Sequence, residues 1–419
     1  MVSIDARTRL KSQTRALPAE TVRREVLPAL LDEHGEVAGR GAETIGAPPL
    51  TISAADEHFV LVCASGRMVL LDGSHESGIA VKVDEDALSD VIQDLSTLSW
   101  CRMFSRLSVQ RGNSDDLARW DPVLRALRDG VPVSEPGTIK LAWPDGTPLD
   151  PQRSFVLEDD PALMGAFLQE AGYLHVRGVF TPEEMDAVSA ELDQAIAGAE
   201  RDDRESWWAR TDEGWYPARI LGFNRKSPAL RALLRSHRFQ QLKNLVDDDL
   251  VQGDIDNENM ASGLLKKIGV QEGISDVRWH TDCSPGGHTF ECAGLNVGIQ
   301  LTAADVDTGE LGVMAGSNRA NIPGIAPVMD FGLTRQPMTT AKGDVTIHCT
   351  CTMHMSRPPV RGERRVVYTS LSLGPFPEDM SSLPPETTRR ARQASLQDVV
   401  GRGADLKRKS AGGQGYSFD

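Results

Sequence analysis

The sequence has no apolar run fit for a membrane. No stretch of its 419 residues approaches the roughly 18 apolar residues that a spanning helix needs. Positive charge is not in excess either. Acidic residues number 60 against 45 basic ones, and the formal charge is −15. A phosphate backbone or an anionic membrane calls for a basic face, so neither nucleic acid nor membrane insertion is expected. Cysteine is scarce. The six cysteines are scattered at 63, 101, 283, 292, 349 and 351. That is too few for a disulfide framework, and a reducing cytoplasm is the expected compartment. Cys349-Thr350-Cys351 reads as two strand residues on one face rather than a soft-metal site. The opening Met1-Val2-Ser3-Ile4-Asp5 has no apolar core, so no secretion signal is expected. No internal repeat is found.

What is present is an ordinary globular balance, 40% hydrophobic and 25% charged, in a chain too long for one core. Residues 1–50 are polar, with one short helix expected at Arg23–Leu31 and loose order elsewhere. Residues 51–130 read as a small α+β domain. His58–Cys63, Met68–Leu71 and Gly78–Val83 suggest an antiparallel meander. A helix over Asp86–Leu98, a strand at Arg106–Val109 and a helix over Ser114–Arg128 complete it. The stretch 131–152 is rich in proline and glycine and is the expected linker. A second domain, 153–380, begins with helix Asp159–Gly172, strand Tyr173–Arg177 and a helix capped by Thr181 with Pro182 at its first position. From Ser262 to Pro375 the pattern is mostly β. The tail 381–419 is polar and expected to be partly helical, then disordered.

The chemistry concentrates in Val277-Arg278-Trp279-His280-Thr281-Asp282. In a strand, residues i and i+2 share a face, so His280 and Asp282 can grip one ion together. A second histidine completes a two-His-one-carboxylate triad, which leaves coordination sites open for a cosubstrate and O2. His354 is the better third ligand; His348 reads as a strand residue. Ser356 lies two residues beyond His354 and can donate a hydrogen bond on the same side. Glu363-Arg364-Arg365-Val366 carries arginines into the next strand, where one can clamp a carboxylate. Metal ligands, a hydroxyl and an arginine together match the demands of 2-oxoglutarate.

These residues fall in an order that resembles the phytanoyl-CoA hydroxylase-like iron(II)/2-oxoglutarate dioxygenases. The matching pieces are Trp279-His280-Thr281-Asp282, the run Thr308–Arg319, Gly343-Asp344-Val345, then His354-Met355-Ser356 and Arg364-Arg365. The resemblance spans about 155–375. It implies a mainly β fold, a double-stranded β-helix of the jelly-roll or cupin-like kind with flanking helices. It also implies iron(II) on His280, Asp282 and His354, with 2-oxoglutarate and O2 as cosubstrates. Spacing from His354 favours Arg365 for the distal carboxylate; the pattern after a shortened loop favours Arg364, and both stay open. Lys267 is implied to assist the cosubstrate. Asn296 and Gln300, on a strand lining the barrel, are candidates to contact cosubstrate or substrate.

Two departures from the family pattern stand out. Ala315-Gly316-Ser317-Asn318 replaces the usual Pro-Gly-Ser-His. Gly298 replaces a frequent bulky aromatic, which suggests a wider or reshaped pocket. Retention of Asp282 favours hydroxylation-type chemistry over halogenation. Trp207, Trp208, Trp215 and Tyr216, with Arg210 and Arg219, could form a lid over the barrel mouth or simply pack. The 51–130 unit resembles, more weakly, sterol-carrier-protein domains, which implies a lipid-like substrate. The expected function is oxidation of a small organic molecule, a lipid or secondary metabolite. The rival is a non-catalytic jelly-roll or lipid-binding protein that keeps the triad. A homo-oligomer stays open.

Overall fold

The computed structural model describes residues 16–113, 116–201, 203–245, 250–273, 277–282, 294–324 and 330–373. Residues 1–15, Cys283, His288, Cys292 and the 381–419 tail lie outside the described residues.

The N-terminal unit begins with helix, not loose chain. Helix α1 (Ala19–Thr21) runs through a π-helical stretch, Val22–Val26, into α2 (Leu27–Ile45). This corrects the expected short helix at Arg23–Leu31. Gly35, Gly39 and Gly41, inside α2, are contact points. A Cβ at Gly39 would lie 2.5 Å from the backbone of Arg67 and Gly66, so only glycine lets α2 lie this close to the sheet.

Five strands come next: β1 (Leu50–Ala54), β2 (Glu57–Ala64), β3 (Arg67–Asp72), β4 (Ile79–Val83) and β5 (Leu107–Arg111). Their order is β3-β2-β1-β4-β5. The expected meander is therefore corrected. Strand β1 lies just beyond the Pro48-Pro49 breaker and was not expected; it pairs antiparallel with β2 and parallel with β4. The helix expected over Asp86–Leu98 is two helices, α3 (Glu85–Ile92) and α4 (Leu98–Met103), separated at Asp94 with φ 56°. Helix α5 (Leu117–Asp129) closes the unit. Its buried Asp121 accepts hydrogen bonds from Leu98 N and Ser99 Oγ, at 2.9 and 2.7 Å, and so pins the start of α4.

The 131–152 stretch is fastened to the second unit. Ser134 N donates to Asn321 O and Gly137 N to Phe331 O, at 3.0 and 3.1 Å. Apolar contact also crosses between the units: Trp120 and Leu124 share one core with Met314, Ile322, Phe331 and Met353.

The second unit starts with α6 (Pro161–Ala171), β6 (Tyr173–Val176) and α7 (Pro182–Ala197). Thr181 and Glu184 cap α7 reciprocally, as a Thr-x-x-Glu start should. A hairpin, β7 (Ser206–Thr211) and β8 (Gly214–Ile220), leads into short helices α8 (Phe223–Lys226), α9 (Pro228–Arg235) and α10 (His237–Lys243). Then come β9 (Leu250–Val251), β10 (Ala261–Lys266), β11 (Val277–His280), β12 (Leu295–Gln300) and β13 (Leu311–Met314). Strands β14 (Arg335–Met338), β15 (Val345–Cys349), β16 (His354–Ser356) and β17 (Arg364–Leu373) complete the described fold.

These strands build two sheets. The larger has the order β6-β15-β12-β17-β10-β8-β7, with β9 on β17; the smaller is β11-β16-β13-β14. This is the expected double-stranded β-helix. Side-chain alternation sorts its two faces. Val297, Ile299, Val345, Ile347 and Val367 join the helix-side core with Phe167, Leu192 and Phe239. Their neighbours Asn296, His348, Val366 and Tyr368 face a cavity between the sheets.

Candidate active site

The cavity measures about 370 Å³, and His280, Asp282 and His354 line it. His280 ends β11 and lies directly across the strand pair from His354 at the start of β16. Their ring centroids are 4.2 Å apart. Asp282 stands two residues later, with Oδ1 3.4 Å from His280 Nε2 and Oδ2 3.7 Å from His354 Nε2. One ligand atom from each of the three residues falls within a mutual 4.8 Å. Among the described residues this is the one such cluster.

Both imidazoles are oriented by the same device. His280 Nδ1 donates to Arg278 O at 2.8 Å, and His354 Nδ1 donates to Thr352 O at 2.9 Å. A proton on Nδ1 leaves each Nε2 lone pair free for a cation. Burial, reinforced by the nearby His280, drives the His354 pKa down to about 3, so this ring is neutral at ordinary pH. Burial alone would raise the Asp282 pKa. The surrounding histidines, His354 first, outweigh it and hold the carboxyl well below the usual range. Asn296 Nδ2 donates to Asp282 Oδ2 and fixes that carboxylate from behind. Burial would lower the His280 pKa, but the adjoining Asp282 outweighs it and raises it, so a bound cation would take the place of that proton. Two imidazole nitrogens and one ionised carboxylate oxygen form a donor set suited to iron(II).

The two candidate arginines separate cleanly. Arg364 is 1% exposed and lines the cavity. Its Nη1 donates to Gly309 O and Ser356 Oγ, at 3.0 and 3.4 Å. Its Nη2 donates to Gln300 Oε1 and Tyr368 Oη, both at 3.3 Å. All four partners are neutral, and Nε has no partner among the described residues. A guanidinium buried this deeply without an anion leaves room for a bound carboxylate. Arg365 points the other way and pairs with Glu363 and Asp193, at 2.6 and 2.7 Å. Strand period alone decides between them: Arg364, Val366 and Tyr368 share the inner face of β17.

The same parity corrects the lysine. Lys267 does not line the cavity; its Nζ lies 5.2 Å from the Tyr216 ring centroid. Lys266 faces inward instead, donating to Ser356 Oγ at 2.7 Å and Arg357 O at 2.6 Å. Arg219, weighed as a lid residue, also lines the cavity. It stacks 4.6 Å from the Trp207 ring centroid, and its Nε has no hydrogen-bond partner among the described residues. Burial lowers its pKa, against the pull of Asp282.

Of the two expectations for Gly298, a wider or a reshaped pocket, the geometry fits the second. Gly298 stands opposite Tyr368 in the β12–β17 register, and a Cβ there would lie 2.9 Å from the Tyr368 ring and 2.8 Å from Thr346 Oγ1. The missing side chain is replaced in space by Tyr368 from the neighbouring strand. His348, expected as an ordinary strand residue, reaches the cavity too, with Nε2 3.7 Å from Asp282 Oδ2. The β7–β8 hairpin contributes a wall: Trp207 and Trp208 line the cavity, whereas the Trp215 ring centroid lies 3.9 Å from the Arg201 guanidinium carbon.

Two of the ordered motifs are architecture. Asp344 accepts from His175 Nε2, Gly178 N and Ala341 N, each at 2.8 Å, and closes the turn into β15. Ser317, in the Gly-containing run, accepts from Met353 N at 2.8 Å and so braces the residue before His354. Asn318, where the pattern has histidine, donates to Gln169 O at 2.8 Å and ties this run to α6.

Comparison with known proteins agrees with this geometry. Residues 168–366 match the phytanoyl-CoA dioxygenase (PhyH) family. The chain carries a PhyH-family domain. With the His-Asp-His cluster in its barrel, that domain is a 2-oxoglutarate-dependent dioxygenase taking iron(II) as cofactor. No curated protein matches the chain. Among solved structures, AviO1 from Streptomyces viridochromogenes Tue57 is 20% identical, with a TM-score of 0.39, over 54% of this chain and 97% of its own. SnoK, a non-heme alpha-ketoglutarate-dependent carbocyclase from nogalamycin biosynthesis, is 19% identical with a TM-score of 0.39, over 53% of this chain and 87% of its own. HygX from Streptomyces hygroscopicus, solved with nickel and 2-oxoglutarate, is 18% identical with a TM-score of 0.39, over 52% of this chain and 89% of its own.

Proposed function

We propose that this protein oxidises an unactivated C–H bond of a small organic substrate, with hydroxylation as the outcome. His280, Asp282 and His354 would hold iron(II) through two imidazole nitrogens and one carboxylate. Arg364, flanked by Ser356, Lys266 and Tyr368, would receive the distal carboxylate of 2-oxoglutarate. Arg219 offers a second cation to the same cosubstrate or to an anionic substrate group. Bound there, iron(II) with 2-oxoglutarate and O2 supplies the oxidising power, with succinate and CO2 released. The protein's own part is to orient the substrate, fix the ligands and exclude water.

The observation that carries this reading is Arg364. It is a cation buried among neutral partners, in the same cavity as a metal-competent triad. A jelly-roll protein that merely bound lipid would have no use for such a group. No described helix is long and apolar enough to cross a membrane.

The test is succinate release with iron(II), 2-oxoglutarate, O2 and a panel of lipid-like and secondary-metabolite acceptors. Acceptor-stimulated succinate is expected. No stimulation by any acceptor, with no 2-oxoglutarate-dependent visible band from the iron-loaded protein under argon, would leave the non-catalytic binding protein as the reading.

A further inference from the structure

Arg219 brings to the cavity a positive charge that the cosubstrate does not need. It lies on β8, directly across from Trp207 of β7 and Leu264 of β10, and Leu264 lies across from Val366 of β17. Residues directly opposite in paired strands point to one face, and all four line the cavity. Arg219 therefore points inward. It stands two strands away from Arg364, in the next inward-facing row, because Arg364 lies across from Lys266.

The guanidinium carbon of Arg219 is 4.6 Å from the Trp207 ring centroid. An indole face attracts the charge but accepts no in-plane N–H. Nε is sealed. Nη1 and Nη2 are not sealed, and among the described residues they have no hydrogen-bond or ion-pair partner. The edge of the fork that can grip a carboxylate is thus open. The other inward cations are engaged. Lys266 donates to Ser356 Oγ and Arg357 O, and Arg364 donates to four neutral acceptors. In the proposed function, iron(II) and Arg364 take the two ends of 2-oxoglutarate. Asp282, the one acid among the described lining residues, goes to the metal. Arg219 is left unmatched in that assembly. Much of the remaining wall is apolar: Trp208 and Leu265 from the barrel, with Trp100 on α4 and Phe104 at its end from the N-terminal unit.

We propose that Arg219 is a specificity-determining residue that receives a carboxylate of the substrate, whose apolar body lies against the tryptophan-lined wall. The carboxylate accepts from Nη1 and Nη2, while Trp207 holds the guanidinium by its face. A neutral substrate would leave this cation without a counter-charge. The inference deepens the oxygenase reading and rests on it for the cavity being a substrate site.

The experiment uses the full chain loaded with iron(II) and 2-oxoglutarate under argon, so that Arg364 is occupied. Two probes of nearly equal shape, 2-naphthoate and the neutral 2-naphthamide, are titrated by calorimetry. The intact chain is expected to prefer the naphthoate by about tenfold or more, the scale of a hydrogen bond to a charged group. Arg219→Gln loses the charge and should bring that ratio to about one. Arg219→Lys keeps the charge without the fork and should retain a several-fold preference. Failure of the naphthoate to bind the intact chain, a ratio unchanged in Arg219→Gln, or equal binding of the probes by Arg219→Lys overturns the proposal. So does a loss of 2-oxoglutarate affinity in Arg219→Gln as large as that in Arg364→Ala, which would assign Arg219 to the cosubstrate. The 2-oxoglutarate-dependent visible band judges the oxygenase reading separately. A normal band without a charge preference sinks only the carboxylate site. An absent band, with a preference that Arg219→Gln abolishes, sinks only the chemistry.

Discussion

The two units of this chain bury charge in opposite ways. In the N-terminal unit, the buried Arg106 and Arg128 meet carboxylates. Arg128 lies 2.6 Å from Asp94, and Arg106 lies 2.9 and 3.2 Å from Asp90 and Asp84. In the barrel, among the described residues, Arg364 meets only neutral partners and Arg219 meets an indole face. Among the described residues that line the cavity, the one acid, Asp282, is surrounded by three histidines and an asparagine. Charges that satisfy one another build a scaffold. Charges left waiting around a cavity build a site.

The largest effect should come from the triad. His354→Ala removes a ligand that is already neutral and oriented, and 2-oxoglutarate turnover should fall to background in a succinate assay. Next is the arginine pair. Arg364→Ala should weaken 2-oxoglutarate binding by about a hundredfold, the scale of a buried charge losing its partner. Arg365→Ala, on the outer face, should change that affinity less than about threefold, because exposed ion pairs contribute little. Equal effects from the two variants would erase the distinction drawn between inner and outer faces.

A smaller effect belongs to Asn296. Replacing it with alanine frees Asp282 Oδ2 and should lower iron(II) affinity about ten- to a hundredfold, read by competition with a chelator. In the scaffold, Arg128→Met strands Asp94 in the core. It should cost about 3–5 kcal/mol in chemical unfolding without altering metal affinity per folded molecule. A stable variant that lost metal would mean that the two units do not divide their charges as described.

The smallest effect concerns Asp121. Burial pushes its carboxyl from 3.8 up to about 6. A raised acid pKa means that the folded state holds its proton more tightly than the unfolded state does. Its contribution to stability is therefore full below about pH 4 and lost as pH rises to about 6. Asp121→Asn should flatten that part of a melting-temperature profile.

Much of the barrel was legible in the sequence, because its signals are local. The close spacing of His280 and Asp282 brings both to one site, although β11 ends at His280 and Asp282 follows in a bend, and the Thr181-Pro182 start of α7 behaves as its capping residues dictate. What escaped depended on partners distant in sequence. Strand β1 is defined by β2 and β4 on either side, not by its own five residues. Helix α2 extends through three glycines because the β2–β3 hairpin presses on Gly35 and Gly39 and Val133 presses on Gly41. Gly298 alone suggests a wider or reshaped pocket, but Tyr368, on another strand, occupies the space. The choice between Arg364 and Arg365, and between Lys266 and Lys267, needed only strand parity. Parity could be assigned once the register with the neighbouring strands was known. Trp100 gave no signal at all in the sequence, because nothing local links α4 to a barrel beyond 131–152.

The most direct test of the account is the visible band formed when 2-oxoglutarate is added to the iron(II)-loaded protein under argon. The band should form in the intact chain and in Arg365→Ala. It should be absent in His354→Ala, and in Arg364→Ala it should appear only at far higher 2-oxoglutarate. A band that survives His354→Ala unchanged, or that is lost with Arg365 and kept without Arg364, would contradict it.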